Sequence, residues 1–195
     1  MLVVKKYKMV IIITNPSLIQ EEHTTINQLF SEGLELLHLR KKELTEIQLR
    51  KYIEAIPPKY YPKIKLHSHY HLVKEYGFRG IHVPSSFSQE LGQILSKSFH
   101  SLEEIKADKS PFEYGFLSPI FDSISKEGYK NEFDFEAIKS YLSTSNQKII
   151  ALGGIDEDRI ATIKELQFSG IALLGAIWQN ENPVDKFIQI RERWN

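Results

Sequence analysis

The chain has no cysteine, which excludes a disulfide-stapled secreted scaffold, thiolate nucleophiles and cysteine-ligated metals. Net charge is lacking as well. Lys and Arg together number 25 and so do Asp and Glu, giving a formal charge of zero; no global field draws the protein to nucleic acid or to an anionic membrane. Any cationic site must therefore be local. Long apolar runs are also missing, since no stretch approaches the roughly 18 apolar residues of a membrane span. Lys5, Lys6 and Lys8 ahead of apolar residues 9–13 look superficially like a leader, but the run is short and stops at Thr14, Asn15 and Pro16. The expectation is a cytoplasmic protein with no nucleic-acid or membrane partner, free to form a homo-oligomer.

What is present is ordinary globular composition: 195 residues, 42% hydrophobic and 26% charged, enough for one domain spanning residues 1–195 around a full core. The β-branched run 9–14, ended by Asn15-Pro16, reads as a strand buried on both faces. Ile26, Leu29 and Phe30 follow at helical spacing, with Gly33 as the stop. Residues 34–40 form the second strand. Leu49, Tyr52, Ile53 and Ile56 mark a helix ended by Pro57-Pro58, and 63–68 is the third strand.

A short helix over 72–76 stops at Gly77, and 80–84 is a strand closed by Pro84. The polar segment 96–101 is the fifth strand, and Ser101 with Glu104 matches a capping box. The stretch 116–129 supplies strand six and its exit loop. Phe135, Ile138, Tyr141 and Leu142 mark a helix, 148–152 a strand, and Ile160, Ile163 and Leu166 a helix capped by Asp156. Residues 170–174 form the eighth strand, and Asn182-Pro183 caps a last helix carrying Val184, Phe187 and Ile188.

Eight apolar strands alternating with helical connections imply parallel pairing by crossovers. The count of eight favours an α/β closed (β/α)₈ (TIM) barrel of minimal length over an open flavodoxin-like sheet. A barrel of this class places its site at the C-terminal ends of the strands. There, His38, Arg40 and Lys42 are spaced by two, so an extended chain turns all three to one face and Leu37 and Leu39 to the other. After strand six, Ser123, Ser125 and Lys126 offer two hydroxyls and an ammonium before Gly128. That is either an anion clasp or a solvated surface loop. Gly153-Gly154 and Gly175-Ala176 leave strands seven and eight, where backbone N–H groups hold phosphate in many barrels and where glycines otherwise serve tight turns.

Taken in order, 38–42 (HLRKK), 80–83 (GIHV), 98–101 (SFHS), 118–126 (SPIFDSISK), 151–155 (ALGGI) and 175–177 (GAI) resemble thiamine phosphate synthase and its TenI-like thiazole tautomerase relatives, a (β/α)₈ family. The resemblance implies a transferase of thiamine biosynthesis. It joins a hydroxymethylpyrimidine diphosphate to a thiazole phosphate and releases pyrophosphate. It also implies that Arg40, Lys42, Ser98 and Lys126 hold pyrophosphate, that Ser123 and Ser125 supply loop hydroxyls, and that backbone around Gly153, Gly154, Gly175 and Ala176 holds the thiazole phosphate. His38 stands where the family has glutamine.

The resemblance brings Mg²⁺ with it as a cofactor, held by acids after strands three and four. This chain has His67-Ser68 and, approximately, Phe87 at those positions, so no metal ligand is assigned. His67, His69 and His71 alternate, and on one strand face they would be imidazole ligands for a transition metal or simply a surface strand. The tautomerase branch carries a histidine where this chain has Pro119, leaving His38, His82, His100 or Asp122 to move protons. A third class keeps the phosphate loops and only binds its ligand.

Overall fold

The computed structural model describes residues 8–87, 95–121 and 133–195. Its strands are β1 (Met9–Ile13), β2 (Leu36–Leu39), β3 (Ile64–Leu66), β4 (Gly80–Pro84), β5 (Leu95–Phe99), β6 (Tyr114–Leu117), β7 (Ile149–Leu152) and β8 (Gly170–Leu173). Each pairs in parallel with its sequence neighbour, and β1 pairs with β8 to close the barrel. The expected (β/α)₈ architecture is the one found, and the open sheet is excluded by that closure. The strands are shorter than the apolar runs. Residues 63–68 contribute only three strand residues, and the second strand begins two residues after position 34.

The connecting helices are α1 (Glu22–Ser31), α2 (Glu46–Glu54), α3 (Leu72–Tyr76), α4 (Leu102–Ala107), α5 (Phe135–Thr144), α6 (Ile160–Glu165), α7 (Gly175–Trp178) and α8 (Pro183–Trp194). Their ends follow local chemistry. Ser101 Oγ accepts from the Glu104 N–H, but the Glu104 carboxylate accepts from His100 N–H rather than Ser101, so the capping box closes one residue early. A reciprocal box does form at Thr45 and Gln48 on α2. Asp156 accepts from Glu157 N–H and heads a 3-10 turn that runs into α6. Asn182 makes no side-chain cap; Pro183 in the first turn sets the start of α8 instead.

Strand alternation splits the core in two. Outward residues such as Ile12, Leu37, Leu66, Ile81, Leu117 and Ile171 pack against the helices. Ile11, Ile13, Leu36, Tyr114, Phe116, Ile150 and Ala172 fill the barrel itself. Most of the aliphatic filling comes from β1, β7 and β8, with Leu36 added from β2. On the side of β2 to β6 the buried inward residues include His38, Lys65, His67, His82, Ser96 and Tyr114. Lys65 is held by Glu113 at 2.8 Å and lies over the Tyr114 ring; desolvation pushes its ammonium down to about 8.

Candidate active site

The basic strand end after β2 is shaped by the residue between its two cations, Arg40 and Lys42. Lys41 falls in step with Leu37 and Leu39, so it points away from the barrel axis and must find a partner inside the protein. It finds Glu22 Oε2 at 2.6 Å and the Ser17 carbonyl at 2.7 Å, and it sits over the Tyr52 ring. Glu22 also accepts from the Asn15 N–H. The loops after β1 and β2 are thereby locked together. Buried Thr14 adds to this, donating its N–H to the His38 carbonyl and accepting the Arg40 N–H on Oγ1, both at 2.9 Å. Arg40 is half-buried and Lys42 exposed just beyond the end of β2. Their charges reach inward, because both act with burial to disfavour protonation of His67 and His82.

Beneath these cations lies a layer of imidazoles. His38 is fully buried, with Nδ1 2.9 Å from His67 Nε2 and Nε2 2.5 Å from the Tyr114 hydroxyl. His67 and His82 stack with ring centroids 4.4 Å apart, and His82 Nδ1 and Nε2 meet Ser96 Oγ at 2.9 Å and Ser98 Oγ at 2.7 Å. Burial is the main reason all three are held neutral, lowering His67 to about 3 and the other two well below the ordinary histidine value. Burial raises the Tyr114 phenol in the same way.

The alternating run His67, His69, His71 therefore needs correction. Strand β3 ends at Leu66, and the chain turns at His69 with φ +49°, so the two-residue period is lost before it can align the three rings. His67 turns into the barrel. His69 contacts Ser68 Oγ, and His71 pairs with Glu46 at the surface at 3.1 Å. The histidines that do converge are His38, His67 and His82, from three neighbouring strand ends. Their partner residues Tyr114 and Ser96 went unmarked in the sequence, as did Lys41 and Glu22. The signal for Lys41 was its parity, a lysine in register with buried leucines.

Ser98, on β5, reaches the imidazole layer through His82. Across the barrel, the loop after β7 turns through Gly153 and Gly154 at φ +100° and +61°. A Cβ at Gly153 would lie 2.8 Å from Pro119 Cα, because the exit of β6 runs along this loop. Ile120 and Phe121 donate their N–H groups to the Leu152 and Gly153 carbonyls, and His100 Nδ1 holds the Ser118 carbonyl at 3.0 Å. Arg159 braces the same corner, donating to the Gly154 carbonyl at 2.7 Å and covering the Phe121 ring. Gly175 and Ala176 open α7, whose first N–H groups have no partner within the helix. The root of the expected anion clasp is thus anchored beside the glycine loop. Asp122, Ser123, Ser125, Lys126 and Gly128 lie outside the described residues.

The positions implied for Mg²⁺ do not suit that ion. Mg²⁺ takes oxygen ligands in octahedral geometry, whereas His67 offers an imidazole already engaged with His38, and Phe87 packs against Tyr70. Among the described residues, the one cluster of metal-ligating side chains is the histidine trio.

Residues 10–177 match the family described as thiamine monophosphate synthase. The chain belongs to that family. It is 31% identical to the thiamine phosphate pyrophosphorylase of Bacteroides thetaiotaomicron, with a TM-score of 0.82 over 95% of this chain and 96% of that one. It is similar to the thiamine-phosphate synthase of Vibrio campbellii, 32% identical over 53% of this chain and 55% of that protein. The match to the synthase of Clostridium tetani is 25% identical and covers 77% of each chain. The chain spans about half the length of the first of these two sequence relatives and three quarters of the second. Among the described residues no helix is long and apolar enough to cross a membrane.

Proposed function

We propose that this protein is a thiamine phosphate synthase-like transferase, acting as one barrel domain on small phosphorylated substrates. The observation that carries the reading is the placement of Arg40 and Lys42. The buried Lys41–Glu22 pair between them and the positive charge both exert on buried His67 and His82 support seating a diphosphate at this strand end, with the Gly153-Gly154 turn after β7 taking the phosphate.

In the reaction, the bond between the pyrimidine methylene carbon and the diphosphate oxygen breaks, and its electron pair leaves with pyrophosphate. The lone pair of the thiazole ring nitrogen then forms the new C–N bond, and the positive charge passes to the thiazolium. Arg40, Lys42 and Lys126, with Ser98, Ser123 and Ser125, would stabilise the charge that grows on the departing pyrophosphate. Backbone N–H groups at Gly153, Gly154, Gly175 and Ala176 would hold the thiazole phosphate. His38 lies below this surface, so its part is to support the mouth rather than to touch the diphosphate. The isomerase reading is weaker because Pro119, standing where that branch has its histidine, carries no group able to transfer a proton.

The test is to incubate the purified protein with hydroxymethylpyrimidine diphosphate and thiazole carboxylate phosphate isomers, with and without Mg²⁺, following pyrophosphate, thiamine phosphate and the isomer ratio. Release of pyrophosphate and thiamine phosphate in equal amounts supports the transferase. Absence of pyrophosphate under every metal condition refutes it, and conversion of thiazole isomers alone identifies an isomerase.

A further inference from the structure

We propose that His38, His67 and His82 form an internal site for a borderline divalent transition metal such as Zn²⁺ or Co²⁺, with Ser98 Oγ or a water completing four-coordination. The site does not depend on the transferase reading. One ring nitrogen from each histidine lies within 4.8 Å of the other two. Tetrahedral zinc with nitrogens at about 2.0–2.1 Å sets them about 3.3 Å apart, so the rings need only small rotations.

The hydrogen bonds around the trio give it the right protonation pattern. Ser96 Oγ donates to the Ile81 carbonyl at 3.3 Å, which leaves it to accept from His82 Nδ1–H. The lone pair of His82 is then on Nε2, the nitrogen facing Ser98. Tyr114 Oη, 2.5 Å from His38 Nε2, can accept the His38 proton in the same way, freeing Nδ1, the nitrogen that faces His67. The remote nitrogens of His38 and His82 thus each have an oxygen partner of the kind that orients metal-bound imidazoles.

The surroundings also set the metal's identity. Three imidazoles and a hydroxyl suit Zn²⁺ or Co²⁺ and not Mg²⁺. Access is past His67 and His82, which retain slight exposure while His38 has none. Arg40, Lys42 and Lys65 all act on the cluster as positive charges, so affinity is lower than at a site with a carboxylate ligand. The surface pair His69 and His71, with Glu46 beside His71, is the competing place for an adventitious ion.

Titration of the full chain with Co²⁺ tests the proposal through the intense visible absorption of four-coordinate cobalt. Saturation at one equivalent is expected, with displacement by Zn²⁺ and none by Mg²⁺. His67→Gln should weaken binding at least about tenfold, as loss of a ligand costs no less than loss of its supporting partner, while His71→Ala changes nothing. Absence of the bands, or bands lost in His71→Ala and kept in His67→Gln, overturns the site. X-ray absorption of the wild-type cobalt complex decides the matter if His67→Gln fails to fold: three imidazoles support the site and a shell of oxygens alone refutes it.

Discussion

The Lys41 ammonium stands 2.6 Å from Glu22 Oε2, and neither side chain meets solvent. Burial lowers the Lys41 pKa, and the Glu22 hydrogen bond opposes that shift, so the charge persists through its partner. Glu22→Gln should then cost about 3–5 kcal/mol of stability, the usual penalty for stranding a buried charge. Urea unfolding measures this. The double variant Lys41→Met with Glu22→Leu should recover most of the loss, because a buried ion pair contributes little over a packed apolar pair. Recovery of stability without recovery of pyrophosphate affinity would separate the two jobs of the pair, holding the fold and aiming Arg40 and Lys42.

The barrel was legible because its strands are buried on both faces and so read as apolar runs, as at 9–14 and 148–152. Where the signal failed, the reason was local. The run 63–68 looked uniform, yet its strand stops at Leu66 because the chain turns at His69. Parity along β2 turns His38 inward, but the strand ends at Leu39 and Lys42 lies in the turn beyond it, so the alternation does not extend to Arg40 and Lys42. The meeting of His38, His67 and His82 was not legible, since it depends on the register between β2, β3 and β4, in which His38 pairs with Lys65 and Lys65 with Gly80. No single segment contains that information.

Two glycines allow backbone strain to be separated from crowding. Gly77 and Gly153 both have positive φ, but an added Cβ meets nothing within 4 Å at Gly77 and lies 2.8 Å from Pro119 Cα at Gly153. Gly77→Ala should cost about 1 kcal/mol, the left-handed penalty alone. Gly153→Ala should cost more and should also weaken binding of inorganic phosphate, as the loop moves off Pro119. Thermal melts and calorimetry read the two effects, and equal melting losses would show that the Pro119 contact yields freely.

Acid sensitivity follows from two carboxylates. Desolvation works against the ionised form at both, but Lys97 and Ser110 at Asp108, and Arg79 and Lys65 at Glu113, more than offset it and lower both pKa values. A depressed carboxylate pKa means the unfolded chain binds more protons, so stability rises with pH through the window. The contribution is complete above the ordinary values of 3.8 and 4.5 and is lost as pH falls below them through the folded-state values. Asp108→Asn should flatten the slope of stability against pH in this acid range. An unchanged slope would remove the Lys97–Asp108 pair, at 2.7 Å, from the list of causes.

Arg40 and Lys42 should be distinguishable by how they lose pyrophosphate. Arg40 is half-buried, with its backbone pinned by Thr14, and its guanidinium can present two parallel donors to a phosphate. Arg40→Ala should weaken pyrophosphate binding by about 10- to 100-fold, in line with the loss of charged hydrogen bonds worth about 1.5–3 kcal/mol. Arg40→Lys should recover only part of it, because the fork geometry is gone. Lys42 is exposed, and its contribution is largely long-range, so Lys42→Ala should cost less and the cost should shrink as salt is raised. Calorimetry at two ionic strengths gives all three comparisons. If both alanine variants lost affinity equally and with the same salt dependence, the pyrophosphate would be held by diffuse charge at the mouth rather than seated on Arg40.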